Sequence, residues 1–142
     1  MMQTLFRILF PVSYRSFWGK RWIHILLRTA HLVGAAGLCG GFLFGAPKEA
    51  WLPYLALTSG SGVLLMLLEV WTNGVWLIHL CGIAVVVKLV LLSFLPVFEP
   101  YQVYVLLGMI VLSGVMSHAP RGVRHYSVFH RRQIDVLQER RR

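Results

Sequence analysis

An all-α integral membrane protein, folded as a four-transmembrane-helix up-down bundle, is the class this sequence predicts, and three observations predict it. The 142 residues are 57% hydrophobic and only 13% charged, roughly half the charge of an average soluble domain. Four apolar runs occur, each near the roughly 20 residues a helix needs to cross the hydrocarbon core. The basic residues gather at the two ends. Arg7, Arg15, Lys20, Arg21 and Arg28 lie before or just inside the first run, seven arginines from Arg121 to Arg142 follow the last, and only Lys48 and Lys88 lie between. A soluble chain this small could not enclose so much apolar surface. The hydrophobicity excludes disorder, and Cys39 and Cys81 fall inside apolar runs, which excludes a disulfide scaffold.

Taken in order, residues 1–21 read as an N-terminal interfacial segment. Their apolar stretch, Leu5 to Val12, is short, interrupted by Arg7 and Pro11, and followed by more positive charge rather than a cleavage site, so it does not read as a signal peptide. The bundle, 22–117, then comprises spans at about 22–45, 51–70, 75–95 and 101–117. Turn chemistry separates them: Gly45-Ala46-Pro47-Lys48-Glu49, Trp71-Thr72-Asn73-Gly74 and Pro96-Val97-Phe98-Glu99-Pro100. Such short connections make consecutive helices antiparallel neighbours. Trp18, Trp22, Trp51, Trp71 and Trp76 all fall near span ends, where an amphipathic ring suits the headgroup region. Residues 118–142 form a basic tail. No internal repeat or broken helix is evident.

Four crossings put both ends on one side. The basic residues there place that side in the cytoplasm, consistent with a bacterial cytoplasmic membrane. The net charge of +9 thus points to anionic lipid headgroups as partners and not to nucleic acid, which would call for a basic folded face interleaved with aromatics.

Ionisable residues inside a span are costly and mark function or structural pairing. His24, Arg28 and His31 follow i, i+4, i+7 spacing on one stripe of the first helix. With Glu69 ending the second helix, His79 about a turn into the third, His118 ending the fourth and Lys88 about a turn beyond the depth of His31, they form a polar layer in the cytoplasmic half. In one reading His31, with His79 or His118, ligates a haem iron or part of a copper site, while Arg28, Lys88 and Arg121 hold anionic groups such as haem propionates. In the other, Arg28 pairs with Glu69, His79 and Lys88 snorkel to the interfaces, and His118 is a solvated helix end. No histidine pair has the i, i+4 spacing of a helical metal site. Gly34, Gly37 and Gly41, with Gly60 and Gly62, suggest close backbone approach, most simply helix on helix. No Ser/His/Asp set, carboxylate pair, phosphate loop or zinc-finger spacing is present.

Three stretches, His31-Leu32-Val33-Gly34, Thr58-Ser59-Gly60 and Lys88-Leu89-Val90-Leu91-Leu92, resemble the four-helix core of bacterial copper-resistance protein D-like membrane proteins. They are also similar to the flavin-independent membrane protoporphyrinogen oxidases. The resemblance covers residues 22 to about 95 and implies a role with b-type haem or copper, with His31 and Lys88 at the matching positions. The Ser117 to Tyr126 stretch lies outside that pattern.

The leading expectation is therefore a small membrane redox or cofactor-binding protein carrying haem b, with copper as the alternative. A non-catalytic accessory subunit of a larger membrane complex, or a homo-oligomer packed through its glycine faces, is the second expectation. A small metal or anion transporter is the third, weakened by the absence of broken helices.

Overall fold

The computed structural model describes residues 15–124, 126–127 and 132–133; the expected interfacial segment up to residue 14 and most of the tail lie outside them. The fold is α-helical, with four main helices: α1 (Lys20–Leu43), α2 (Lys48–Thr72), α3 (Leu80–Ser93) and α4 (Gln102–His118). Of these, α1 and α2, with 24 and 25 residues, are long and apolar enough to cross a membrane, whereas α3 and α4 have 14 and 17. A short helix α5 (Arg121–Arg124) and a two-residue antiparallel pair, β1 (Tyr126–Ser127) with β2 (Arg132–Gln133), follow.

Local chemistry sets the boundaries. Gly19 precedes α1 at φ 87, and Gly45 takes φ 61 in the turn to α2, conformations that cost glycine nothing. Pro47 caps α2 and Glu49 sits in its first turn, where its charge suits the helix dipole. This explains why α2 begins three residues before its apolar run.

The third apolar run departs most from expectation. Instead of one helix from residue 75, a 3-10 segment (Gly74–Ile78) leads to an extended residue, His79, before α3 starts. Asn73 initiates the 3-10 segment, its Oδ1 accepting from the Val75 amide at 3.1 Å. A Cβ on Gly82 would collide with the Trp76 carbonyl, so only glycine lets the segment lie against the start of α3. His79 also forms an isolated antiparallel bridge with Ser127. That contact fastens the tail to the break. A broken element is thus present where the apolar pattern alone reads as continuous.

Packing is uneven. The α1–α2 pair is tight because Gly34, Gly37 and Gly41 face Thr58, Tyr54 and Trp51; a Cβ on Gly34 would lie 2.7 Å from the Thr58 amide nitrogen, and one on Gly41 2.6 Å from Trp51 Cβ. The groove of small residues on α1 is therefore filled by α2. Gly60, expected to share in this contact, has nothing within 4 Å of its Cβ position, because its side of α2 faces outward. α3 and α4 pack more loosely against this pair. Leu38, Leu95 and Leu106 form a buried cluster with Trp51, Phe42 and Met109 around it, closing the bundle at the end where α1 finishes. Most large apolar side chains point out instead: Leu32 is 69% exposed, Val111 65% and Leu67 54%.

Gly34→Ala should force α1 and α2 apart and destabilise the protein by about 1–3 kcal/mol, as overpacking does. Gly60→Ala should be neutral or stabilising by up to about 1 kcal/mol. Thermal unfolding of the detergent-solubilised variants, followed by monodisperse elution, checks both.

Candidate functional site: a cavity between two hairpins

Between the tight α1–α2 hairpin and the looser α3–α4 hairpin lies a cavity of about 670 Å³, within the range of small-molecule and cofactor sites. The Leu38 cluster closes one end, and the break at His79 lies at the other. Apolar side chains make up most of its wall. Its polar groups are few: Arg28, His31, Glu69, Thr72, Asn73, His79, Lys88, Ser113 and Ser117, besides Thr58.

His31 is the best-defined of these. Its Nδ1 lies 3.0 Å from the Thr58 carbonyl oxygen and 3.3 Å from Ser61 Oγ. A carbonyl can only accept, so Nδ1 carries the proton and donates it, leaving the lone pair on Nε2. A ring so held, with its other nitrogen free to coordinate, is the arrangement found behind metal-ligating histidines. Ser61 in turn donates to the Leu57 carbonyl, which leaves its oxygen available to Nδ1. On the far side, a Cβ at Gly62 would sit 3.2 Å from His31 Cε1. Glycine there gives the imidazole its place.

Lys88 does not snorkel toward Glu99. Its Nζ donates to Ser113 Oγ at 2.7 Å, and Ser113 donates to the Met109 carbonyl, so the amine stays in the cavity wall between α3 and α4. Nor does His79 reach an interface: it is 3% exposed, because the extended residue that ends the 3-10 segment is covered by Ser127 of the tail. His118 is exposed at the last position of α4 and does not line the cavity. Of the three histidines expected as ligands, two therefore share the cavity. Arg121 begins α5, and its side chain lies outside the described residues.

The expected Arg28–Glu69 pair is replaced by another. Glu69 Oε1 lies 3.9 Å from His24 Nδ1, and the helix register gives the reason. Gly34 faces Thr58, Gly41 faces Trp51 and His31 faces Gly62; continuing that antiparallel register toward the start of α1 brings Glu69 level with His24, a full turn before Arg28. Both Arg28 and Glu69 still line the cavity edge.

Sequence reasoning missed Thr58 and Ser61 as the groups that orient His31, and Ser113 as the partner of Lys88. The Thr58-Ser59-Gly60-Ser61 run of small polar residues in an apolar helix is a signal for the first pair. Nothing marks Ser113 without the packing. It also missed the sulfur atoms: Cys39, Met66, Cys81, Met109 and Met116, which are all the cysteines and methionines among the described residues, line the cavity. Neither cysteine is in a disulfide. No group of three or more His, Cys, Asp or Glu side chains close enough to hold a metal occurs among the described residues.

Selective ¹⁵N-histidine spectra should show His31 protonated on Nδ1 and bare on Nε2; the opposite tautomer would contradict the Thr58 hydrogen bond. Ser113→Ala should cost about 1.5–3 kcal/mol, the range for a hydrogen bond to a charged group, measured by thermal unfolding against Ser93→Ala on the exposed side of α3.

The chain was compared with protein-family models, curated proteins and solved structures, and it matches none of them.

Proposed function

We propose that this chain crosses the membrane four times and binds a b-type haem in the cavity between its hairpins, where His31 would hold the iron through Nε2. The observation that carries this is the Nδ1 bond of His31 to the Thr58 carbonyl on the wall of a large, mostly apolar cavity. The cavity volume suits a flat, largely apolar group, and Lys88 supplies a donor for a carboxylate on it. His79, which also lines the cavity, is the second residue that would hold the iron. When bound, a haem would supply one-electron chemistry. The protein's part is to hold the imidazole neutral and oriented, to keep the site apolar, and to place an amine near acidic substituents. The resemblance to copper-resistance protein D-like proteins and membrane protoporphyrinogen oxidases singles out His31 and Lys88 as well.

The four-span reading draws on the outward-facing apolar side chains. Leu26 is 66% exposed, Tyr104 71% and Val111 65%, the inside-out pattern that lipid requires and water penalises. At 1.5 Å per residue, α3 alone falls short of the roughly 30 Å hydrocarbon core. In this reading the 3-10 segments that flank it (Gly74–Ile78 and Leu95–Phe98) lie within the membrane as well. Irregular backbone is tolerated at membrane depth where protein buries it, and Asn73, Gly74, Val75 and His79 are buried. The basic residues at both ends support a cytoplasmic side for them, which fits a bacterial cytoplasmic membrane.

A second reading, cuprous copper, rests on a separate observation: the five sulfur-bearing side chains on the cavity wall, soft donors that favour Cu(I).

Oxidised and dithionite-reduced absorption spectra of the detergent-purified chain, expressed with ample haem, decide between these. A Soret band with sharpened reduced bands, lost in His31→Ala and weakened but retained in Ser61→Ala, is the expected result. A colourless, folded protein with stoichiometric copper selects the second reading, and a colourless, metal-free one overturns both.

A further inference from the structure

At the start of α1 a second, open depression of about 780 Å³ lies between residues 16–19, the first two turns of α1 and Glu69. We propose that it binds the phosphate headgroup of an anionic phospholipid, held by Lys20, Arg21 and Arg28. This rests on the membrane reading above, and Arg28 borders both this depression and the cavity between the hairpins.

Arg28 makes the first argument. It sits two turns into an apolar helix, about 12 Å along the axis from Lys20, with Leu26 and Leu32 exposed around it. The register that brings Glu69 to His24 leaves Leu65 opposite Arg28, and the guanidinium forms no ion pair among the described residues. A cation so placed needs an anion or water from outside the chain. Its long stem can lead the charge back toward the headgroup layer, and the depression lies on that path, with Lys20 and Arg21 at its rim.

The second argument is charge complementarity. Three cations, Lys20, Arg21 and Arg28, line the depression against one carboxylate, Glu69. An incoming phosphate, with several acceptor oxygens, matches the guanidinium forks.

The third argument distinguishes a lipid from a soluble anion. Trp18 is fully exposed and Trp22 69% exposed beside the cations, and Ile25 is 43% exposed on the face above them. Aromatic rings at headgroup level with an apolar strip leading inward suit a phosphate that carries acyl chains. The wall itself is built: the Arg15 amide donates to the Thr72 carbonyl at 3.1 Å. Phe17 meets Trp71 edge-on at 5.6 Å, and the Arg15 guanidinium lies over the same ring at 5.8 Å. These contacts hold residues 15–19 against the end of α2.

Native mass spectrometry of the full chain, delipidated in neutral detergent and offered equal phosphatidylglycerol and phosphatidylcholine, tests the proposal. The first bound lipid should be phosphatidylglycerol by roughly tenfold, and each of Arg28→Gln and Arg21→Gln should cut that preference about fivefold. Arg28→Lys should retain most of it, which separates charge from folding, and the elution profile checks the fold of each variant. Replacing Arg140, Arg141 and Arg142 by Gln should leave the preference intact. Equal binding of the two lipids, a preference unchanged in Arg28→Gln, a preference lost with the tail arginines, or displacement of the lipid by inorganic phosphate would each overturn the proposal. A chain that carbonate extracts from membranes would instead overturn the membrane reading.

Discussion

The contact between Gly34 and Thr58 is the constraint on which the rest of this structure depends. With no Cβ on Gly34, the two long helices approach until the Thr58 backbone lies against α1, and that closeness sets their register. The same register brings His31 to the Thr58 carbonyl and Ser61, and His24 to Glu69. It leaves Arg28 facing an apolar position. A slip of one residue would turn each of these polar groups to a different neighbour, and in an apolar setting an unpaired polar group is expensive.

Against that rigid pair, α3 and α4 form a second, looser hairpin, and the cavity is the space left between them. The Leu38–Leu95–Leu106 cluster closes one end. The other is shaped by the 3-10 segment and the extended residue His79, which the tail bridges through Ser127. Two ionisable groups of the cavity wall are each held by a neighbour on another helix: His31 by α2, Lys88 by α4. A broken element beside a cavity is also the feature that a transporter would need, but no repeat accompanies it in the sequence.

The helices were legible because lipid-length apolar runs and turn residues are strong, local signals. Boundaries shifted by two or three residues where a cap decided them, as at Pro47. The third run was misread as continuous because Val75 to Leu95 is predominantly apolar and carries no proline. The break comes from two contacts that hydropathy does not register: the Asn73 side chain on the Val75 amide, and the close approach that Gly82 allows. His31 and Lys88 stood out as ionisable groups deep in apolar runs. Their partners did not, since serine and threonine are ordinary in such helices. The Arg28–Glu69 pairing failed for a geometric reason: depth was counted from the presumed end of α2 at Glu69, whereas α2 continues to Thr72.

The sequence by itself determined the helical class, the number of main helices and which side chains are costly to bury, because those follow from composition and local periodicity. Only the tertiary structure decided which of these side chains meet. That outcome depends on helix register and on where backbones can approach, and both are set by contacts between residues far apart in the chain: Gly34 with Thr58, Lys88 with Ser113, and His79 with Ser127.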